Sequence, residues 1–205
     1  MIKQTKYLLV IALMASCNDG DVSNDKIDNI HAGHASATDM NYCDSVNNGL
    51  IAEDTMKGSP HCTVMNTVDG NHVHIEYNSP GVKGRTIWGG LVPYGKVWVT
   101  GAHQATSIAF SKDVQVNGKS IPAGKYGFFT IPGQEKWIVI LNKRYDQHLA
   151  DDYNEKEDVI RMELTPEKHA MTQRLTYSIK KGIENNGEIC MQWELLKISL
   201  PFTVL

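Results

Sequence analysis

Residues 110–133, FSKDVQVNGKSIPAGKYGFFTIPG, decide the fold class. The segments DVQV and KSIPAG flank Asn117-Gly118, and the segment YGFFTI follows them. An Asn-Gly pair between two strand-like segments is the strongest short signal for a β-hairpin, because both residues tolerate the positive φ angles of the turn. The stretch therefore predicts antiparallel β structure.

The same pattern recurs on both sides of this stretch. CTVMNT and HVHIEY flank Asp69-Gly70, YGFFTI and WIVILN flank residues 132–135, and RLTYSIKK and EICMQWELLKISL flank residues 185–187. Short strands separated by turn residues indicate a sandwich or barrel. Only residues 146–157 and 166–171 have helix-like patterns. We predict an all-β fold, an antiparallel β-sandwich of about eight or nine strands with one or two short helices.

The N-terminus has the pattern of a bacterial export signal. Lys3 and Lys6 precede an apolar run at residues 7–14, and two small residues then precede Cys17. The run is shorter than the roughly 20 residues of a membrane-spanning helix. We predict a signal peptide at 1–16 and lipidation at Cys17; the alternative is an ordinary signal peptide with a cysteine there by chance. The protein would then be tethered to a membrane in the cell envelope, outside the cytoplasm, on the periplasmic or surface side.

The amino-acid composition predicts how the rest of the chain is organised. Residues 17–48 are polar and poor in large apolar side chains, which predicts a flexible spacer before a β-sandwich domain at 49–205. The formal net charge is −3 with no basic patch, so nucleic acid is not an expected partner. Cys43 and Cys62 are candidates for a disulfide, although the sequence does not fix the pairing. Cys190 falls in a strand and is expected to be buried.

From Ser79 onward the sequence resembles a known bacterial family. The segments SPGVKGRTIWGGLVPYGKVW and FSKDVQVNGKSIPAGKYGFFTIPG carry the resemblance, which extends from KGSP at 57–60 to the terminal WELLKISLPF. The family is the domain of unknown function 2911. Membership implies a secreted or lipid-anchored β-sandwich of Bacteroidetes-type bacteria, and it implies no established activity.

Three departures from the family pattern introduce histidine. The family usually has RTGAN-E-AT where this chain has VTGAHQAT, which places His103 at the Asn position. His148 stands where the family has Trp. The strand HVHIEY carries His72 and His74 where the family has Thr-type or Asp-type residues.

These histidines predict a metal site. His72, His74 and Glu76 alternate along one strand and so share one face of a sheet, while Val73, Ile75 and Tyr77 take the core face. Neutral imidazole binds zinc and copper well. We predict that His72, His74, His103 and His148 bind a transition metal ion, zinc or copper. The alternative for His72 and His74 is a solvated sheet face.

Two further functions follow from other residue types. A metal with an open coordination position would activate water, and Glu76 would serve as the general base of a metal-dependent hydrolase. Independently, Arg85 lies on the glycine-rich segment GRTIWGGLVPYGKVW, whose aromatic residues are expected to close one end of the sandwich. This loop would line a pocket for a sugar or an anionic small ligand.

Overall fold

A computed structural model describes residues 42–205 of the chain. It confirms the all-β fold, with ten strands where eight or nine were expected. The strands are β1 (His61–Val68), β2 (Asn71–Asn78), β3 (Thr106–Phe110), β4 (Val114–Val116), β5 (Lys119–Ile121), β6 (Gly124–Ile131), β7 (Trp137–Asn142), β8 (Asp158–Leu164), β9 (Glu167–Lys181) and β10 (Asn186–Val204). A short helix α1 (Tyr42–Asn47) precedes β1, and a 3-10 turn (Glu155–Glu157) precedes β8.

The strands form two antiparallel sheets. One sheet has six strands in the order β1-β2-β3-β6-β7-β8, and the other has four in the order β5-β4-β10-β9. Ile75 and Ile108 of the first sheet belong to the same buried cluster as Leu175 and Met191 of the second. Burial of apolar side chains from both sheets in one core is the usual organisation of a β-sandwich.

The predicted tight turns form as expected. Asp69 and Gly70 have φ angles of 46° and 72°, and Asn117 and Gly118 have φ angles of 48° and 75°. Positive φ at both central residues matches the right-handed twist of the flanking strands, so each turn fixes the register of its hairpin. β1 pairs with β2 from Val68↔Asn71 outward, and β4 pairs with β5 from Val116↔Lys119.

The predicted helices are wrong in position. Within 146–157 the only helical residues are Glu155–Glu157, and residues 166–171 contain the beginning of β9. β9 pairs there with β10, with Glu167 opposite Lys197 and Lys168 opposite Leu196. Pairing with a 19-residue neighbouring strand satisfies the backbone groups and overrides the local helix preference.

The folded domain begins earlier than predicted. Cys43 and Val46 of α1 are 1% and 5% exposed, and the Asn47 side chain exchanges two hydrogen bonds with the backbone of Arg174 in β9. Residues 42–48, predicted as the end of a spacer, are therefore part of the domain. Cys17, the predicted signal peptide and the rest of the predicted spacer lie outside the described residues. No helix between residues 42 and 205 has the length and hydropathy of a membrane span.

A buried ion pair links the segment before β1 to the sandwich. The fully buried guanidinium of Arg174 donates to Asp54 Oδ1 at 2.8 Å and to the carbonyl oxygens of Met56 and Ser79 at 3.0 and 2.8 Å. The ring of Tyr42 lies 5.3 Å from the guanidinium carbon. Arg174 thus joins β9, the segment before β1 and the turn after β2.

Candidate ligand-binding site

All four tryptophans of the chain pack together at one end of the sandwich. Trp137 and Trp193 belong to the core, and Trp88 and Trp98 from the glycine-rich loop pack against them. Trp98 stacks on Trp193 with 5.7 Å between ring centroids, while Trp88 meets Trp137 edge to face at 4.7 Å. The expected structural role of the loop tryptophans is therefore present. Trp137 and Trp193 are each 1% exposed, so Trp88 and Trp98 are the partly exposed members of the cluster.

The segment after Trp98 is held in an unusual backbone conformation. Thr100 is fully buried and has a φ angle of 50°, which is rare for a β-branched residue. Its carbonyl oxygen accepts hydrogen bonds from Tyr177 Oη at 2.7 Å and Thr106 Oγ1 at 3.0 Å, and its hydroxyl donates to Thr130 Oγ1 at 3.1 Å. Strain of this kind persists only where the surroundings fix it. These bonds fix the segment from Val99 to Thr106 in place.

Three residues follow Thr100 and form a wall beside Trp98: Gly101, Ala102 and His103. A Cβ atom at Gly101 would lie 2.8 Å from Thr106 Oγ1, so this position accepts only glycine without local movement. The carbonyl of Gly101 accepts the indole N–H of Trp98 at 3.0 Å. His103 follows with a φ angle of 59° and an exposed side chain. Asn, Asp and His are enriched at positive φ, which gives a conformational reason for histidine here.

Hydrogen bonds to backbone carbonyls orient the guanidinium of Arg85. Its Nε donates to the carbonyl of Val82 at 3.3 Å, and its Nη2 donates to the carbonyl of Gly81. Nη1 makes no hydrogen bond to any residue in 42–205, and the side chain is exposed. A guanidinium fixed on one edge and free on the other can bind an anion with little loss of side-chain entropy.

Arg85, Trp98 and His103 line one cleft of about 310 Å³, a volume at the lower end of the range for small-molecule sites. Most of its other lining is apolar, and none of its lining residues is acidic. Leu91 and Leu149 also line it and are 45% and 41% exposed. The cleft thus combines a cationic group with an uncovered apolar surface. We call it the Arg85 cleft.

Sequence reasoning identified only part of this cleft. Arg85 and Trp98 were recognisable because they lie on one aromatic, glycine-rich loop. Trp193 comes from β10 and Leu149 from the segment after β7, and their contribution depends on long-range packing. Leu149 is placed by its backbone N–H, which donates to the carbonyl of His103 at 2.6 Å.

The predicted metal ligands are not brought together. The prediction that His72, His74 and Glu76 share the outer face of β2 agrees with its burial pattern, since Val73, Ile75 and Tyr77 are buried. His103, however, lines the Arg85 cleft, and His148 is exposed opposite Gln104. Across residues 42–205, no three His, Cys, Asp or Glu side chains are placed to share a metal ion. Strand periodicity correctly predicted the face, but it carried no information on which segments approach that face.

Glu76 lies in a second cleft of about 260 Å³, which Ser107 and Lys125 also line. Its carboxylate pairs with Lys125 and accepts a hydrogen bond from Ser107 Oγ at 3.3 Å. The hydrogen bond from Lys125 lowers the pKa of Glu76 against the opposing effect of burial. A general base works best with a pKa near the working pH, so this environment does not suit the predicted catalytic role.

The comparisons with known proteins identify a family and add no activity. No curated protein matches the sequence, and no solved structure matches it. The sequence model of a family described as proteins of unknown function (DUF2911) matches residues 59–202, which include every residue of the ten strands except Thr203 and Val204 at the end of β10. The chain belongs to the DUF2911 family.

Proposed function

We propose that the domain is a binding module for a small ligand that carries an anionic group and an apolar or sugar-ring face. The observation that carries this proposal is the placement of Arg85 on the edge of a preformed cleft whose lining contains Trp98 and no acidic residue. Arg85 would bind the anionic group through its free edge. The apolar surface beside Trp98 would bind the rest of the ligand.

The rigidity of the cleft supports binding as its function. The hydrogen bonds of Thr100 and the contact of Trp98 with Gly101 fix the wall before any ligand arrives. A preformed site loses little conformational entropy on binding. The histidine metal site and the hydrolase based on it are not proposed, because no three candidate ligands within residues 42–205 are placed to share a metal ion and Glu76 is paired with Lys125.

Titration of intrinsic tryptophan fluorescence tests the proposal directly, because Trp98 lines the cleft and packs on the other tryptophans. The probes are matched acids and neutral analogues: glucuronate with glucose, and phenylacetate with phenylethanol. We expect at least one acid to bind with a Kd of about 1 mM or lower, and its neutral partner to bind at least about tenfold more weakly. Equal affinities within each pair, or no response to any acid, would contradict the proposal.

We also propose that the protein works in the cell envelope as a lipoprotein anchored at Cys17. The support is the sequence pattern of basic residues, apolar run and small residues that ends at this cysteine. A tethered binding module would meet small ligands outside the cytoplasm.

Metabolic labelling with a palmitate analogue tests the anchor. The full chain, expressed in a bacterium that processes lipoproteins, is expected to incorporate the label and to partition with membranes. Cys17→Ala is expected to lose both properties, and Cys190→Ala serves as the matched cysteine control that retains them. Unlabelled wild-type protein, cleaved and released, would show an ordinary signal peptide instead.

A further inference from the structure

Two cysteines from separate elements meet in the core. Cys43 of α1 and Cys62 of β1 are 1% and 5% exposed, and their sulfur atoms lie 3.0 Å apart. Both are free thiols, as is the third cysteine of the described region, Cys190. Cys190 is buried in β10 and contacts Ser199 Oγ at 3.5 Å. Cys43 and Cys62 therefore lie against each other, whereas Cys190 contacts a serine.

The surrounding structure keeps the two thiols together. Asn47, one turn after Cys43, is hydrogen bonded to the backbone of Arg174 in both directions. Arg174 in turn binds Asp54 and the carbonyl of Met56, in the segment between the two cysteines. α1 and the segment between it and β1 are therefore each held by contacts that do not involve sulfur.

The two thiols differ in acidity. The hydrogen bond from Cys62 is the largest influence on Cys43 and, with help from Ser79 and the charge of Arg174, lowers its pKa to about 7 against the effect of burial. The same contact and burial raise the pKa of Cys62. Cys43 is therefore partly thiolate at neutral pH, and the thiolate is the form that attacks disulfides.

We propose that Cys43 and Cys62 are a redox pair whose oxidation fastens α1 to β1 through a disulfide. The Cys43 thiolate attacks a disulfide of a protein or small-molecule oxidant, which releases one thiolate and leaves a mixed disulfide. Cys62 then loses its proton and attacks the Cys43 sulfur, releasing the second thiolate. The protein loses two electrons and two protons, and the oxidant disulfide becomes two thiols.

The crosslink would stabilise the point at which the chain enters the domain. It closes a loop between two residues that are 19 positions apart, which restricts the unfolded chain and favours the folded one. Because the cysteines are buried, a bulky oxidant reaches them during folding or when α1 opens locally. This inference does not depend on the Arg85 cleft.

Thiol mapping of the full chain tests the proposal. Reduced protein is incubated with oxidised glutathione, denatured, alkylated and mapped by peptide mass. We expect Cys43 and Cys62 to resist alkylation and to appear in one disulfide-linked peptide, while Cys190 takes the label. We expect the melting temperature to rise by roughly 6–12 °C over the reduced protein, from the stabilisation typical of such a loop.

Variants separate this crosslink from other effects of the oxidant. Cys43→Ala and Cys62→Ala are each expected to abolish the rise in melting temperature, while Cys190→Ala retains it. The comparison of oxidised with reduced wild-type protein does not depend on any variant folding. Alkylation of both Cys43 and Cys62 after oxidation, a crosslink that includes Cys190, or an unchanged melting temperature would overturn the proposal.

Discussion

Arg85→Ala is expected to weaken binding of the acid selected by the fluorescence titration by about 10- to 150-fold. A hydrogen bond to a charged group contributes about 1.5–3 kcal/mol, and the alanine variant loses this bond while the apolar surface beside Trp98 remains. Calorimetric titration of wild type and variant gives the two dissociation constants. The melting temperature is expected to change little, because the Arg85 side chain is exposed.

Lys96→Ala is the matched control for this loss. Lys96 is an exposed cation on the same glycine-rich loop, but it does not line the Arg85 cleft. Its removal lowers the net charge equally and is expected to change affinity less than about threefold, the effect of a screened distant charge. Equal losses in the two variants would show that Arg85 acts only through general charge.

Arg174→Met is expected to lower the free energy of unfolding by about 3–5 kcal/mol. The substitution leaves the buried carboxylate of Asp54 without its cation and removes the donor for the carbonyls of Met56 and Ser79. Urea denaturation followed by circular dichroism measures the change. Arg144→Met is the control: Arg144 is 44% exposed, with carboxylates no nearer than 4.0 Å, and should cost less than about 1 kcal/mol.

The same ion pair predicts a pH dependence. Burial acts to raise the pKa of Asp54, but hydrogen bonds from Arg174 and Tyr42 outweigh burial and hold it below the ordinary value of 3.8. A carboxylate with a lowered pKa stabilises the folded state above its unfolded pKa, and this contribution is lost as the pH falls through the folded pKa. Asp54→Asn should therefore reduce the loss of stability on acidification below about pH 4. An identical loss in this variant would assign the acid sensitivity to other groups.

Local signals predicted most of the fold. The hairpins were predicted from Asn117-Gly118 and Asp69-Gly70, because the geometry of such a turn depends on only two residues. The alternation of residue types in HVHIEY predicted which face of β2 is buried. Residues 166–171 were mistaken for a helix because their strand conformation depends on pairing with β10, far away in sequence. The helix α1 was missed because a helix of six residues with two buried side chains is too short to show a hydrophobic period in the sequence.

Long-range contacts limited prediction of the site. Arg85 was identified by its place on an aromatic loop, whereas Trp193 and Leu149 join the same cleft from other parts of the chain. The four histidines were grouped by residue type, but the fold distributes them over β2, the cleft wall and the segment after β7. Arg174 was not identified from the sequence. It is buried because residues 42–60 pack across it, and its sequence context carries no sign of that contact.

The most direct test of the binding proposal is a crystal structure of the protein soaked with the acid that binds best in the fluorescence titration. The proposal predicts density in the Arg85 cleft, with the anionic group about 2.7–3.0 Å from the Arg85 guanidinium and the rest of the ligand against Trp98. Density in the cleft at Glu76 and Lys125, with the Arg85 cleft empty, would contradict it.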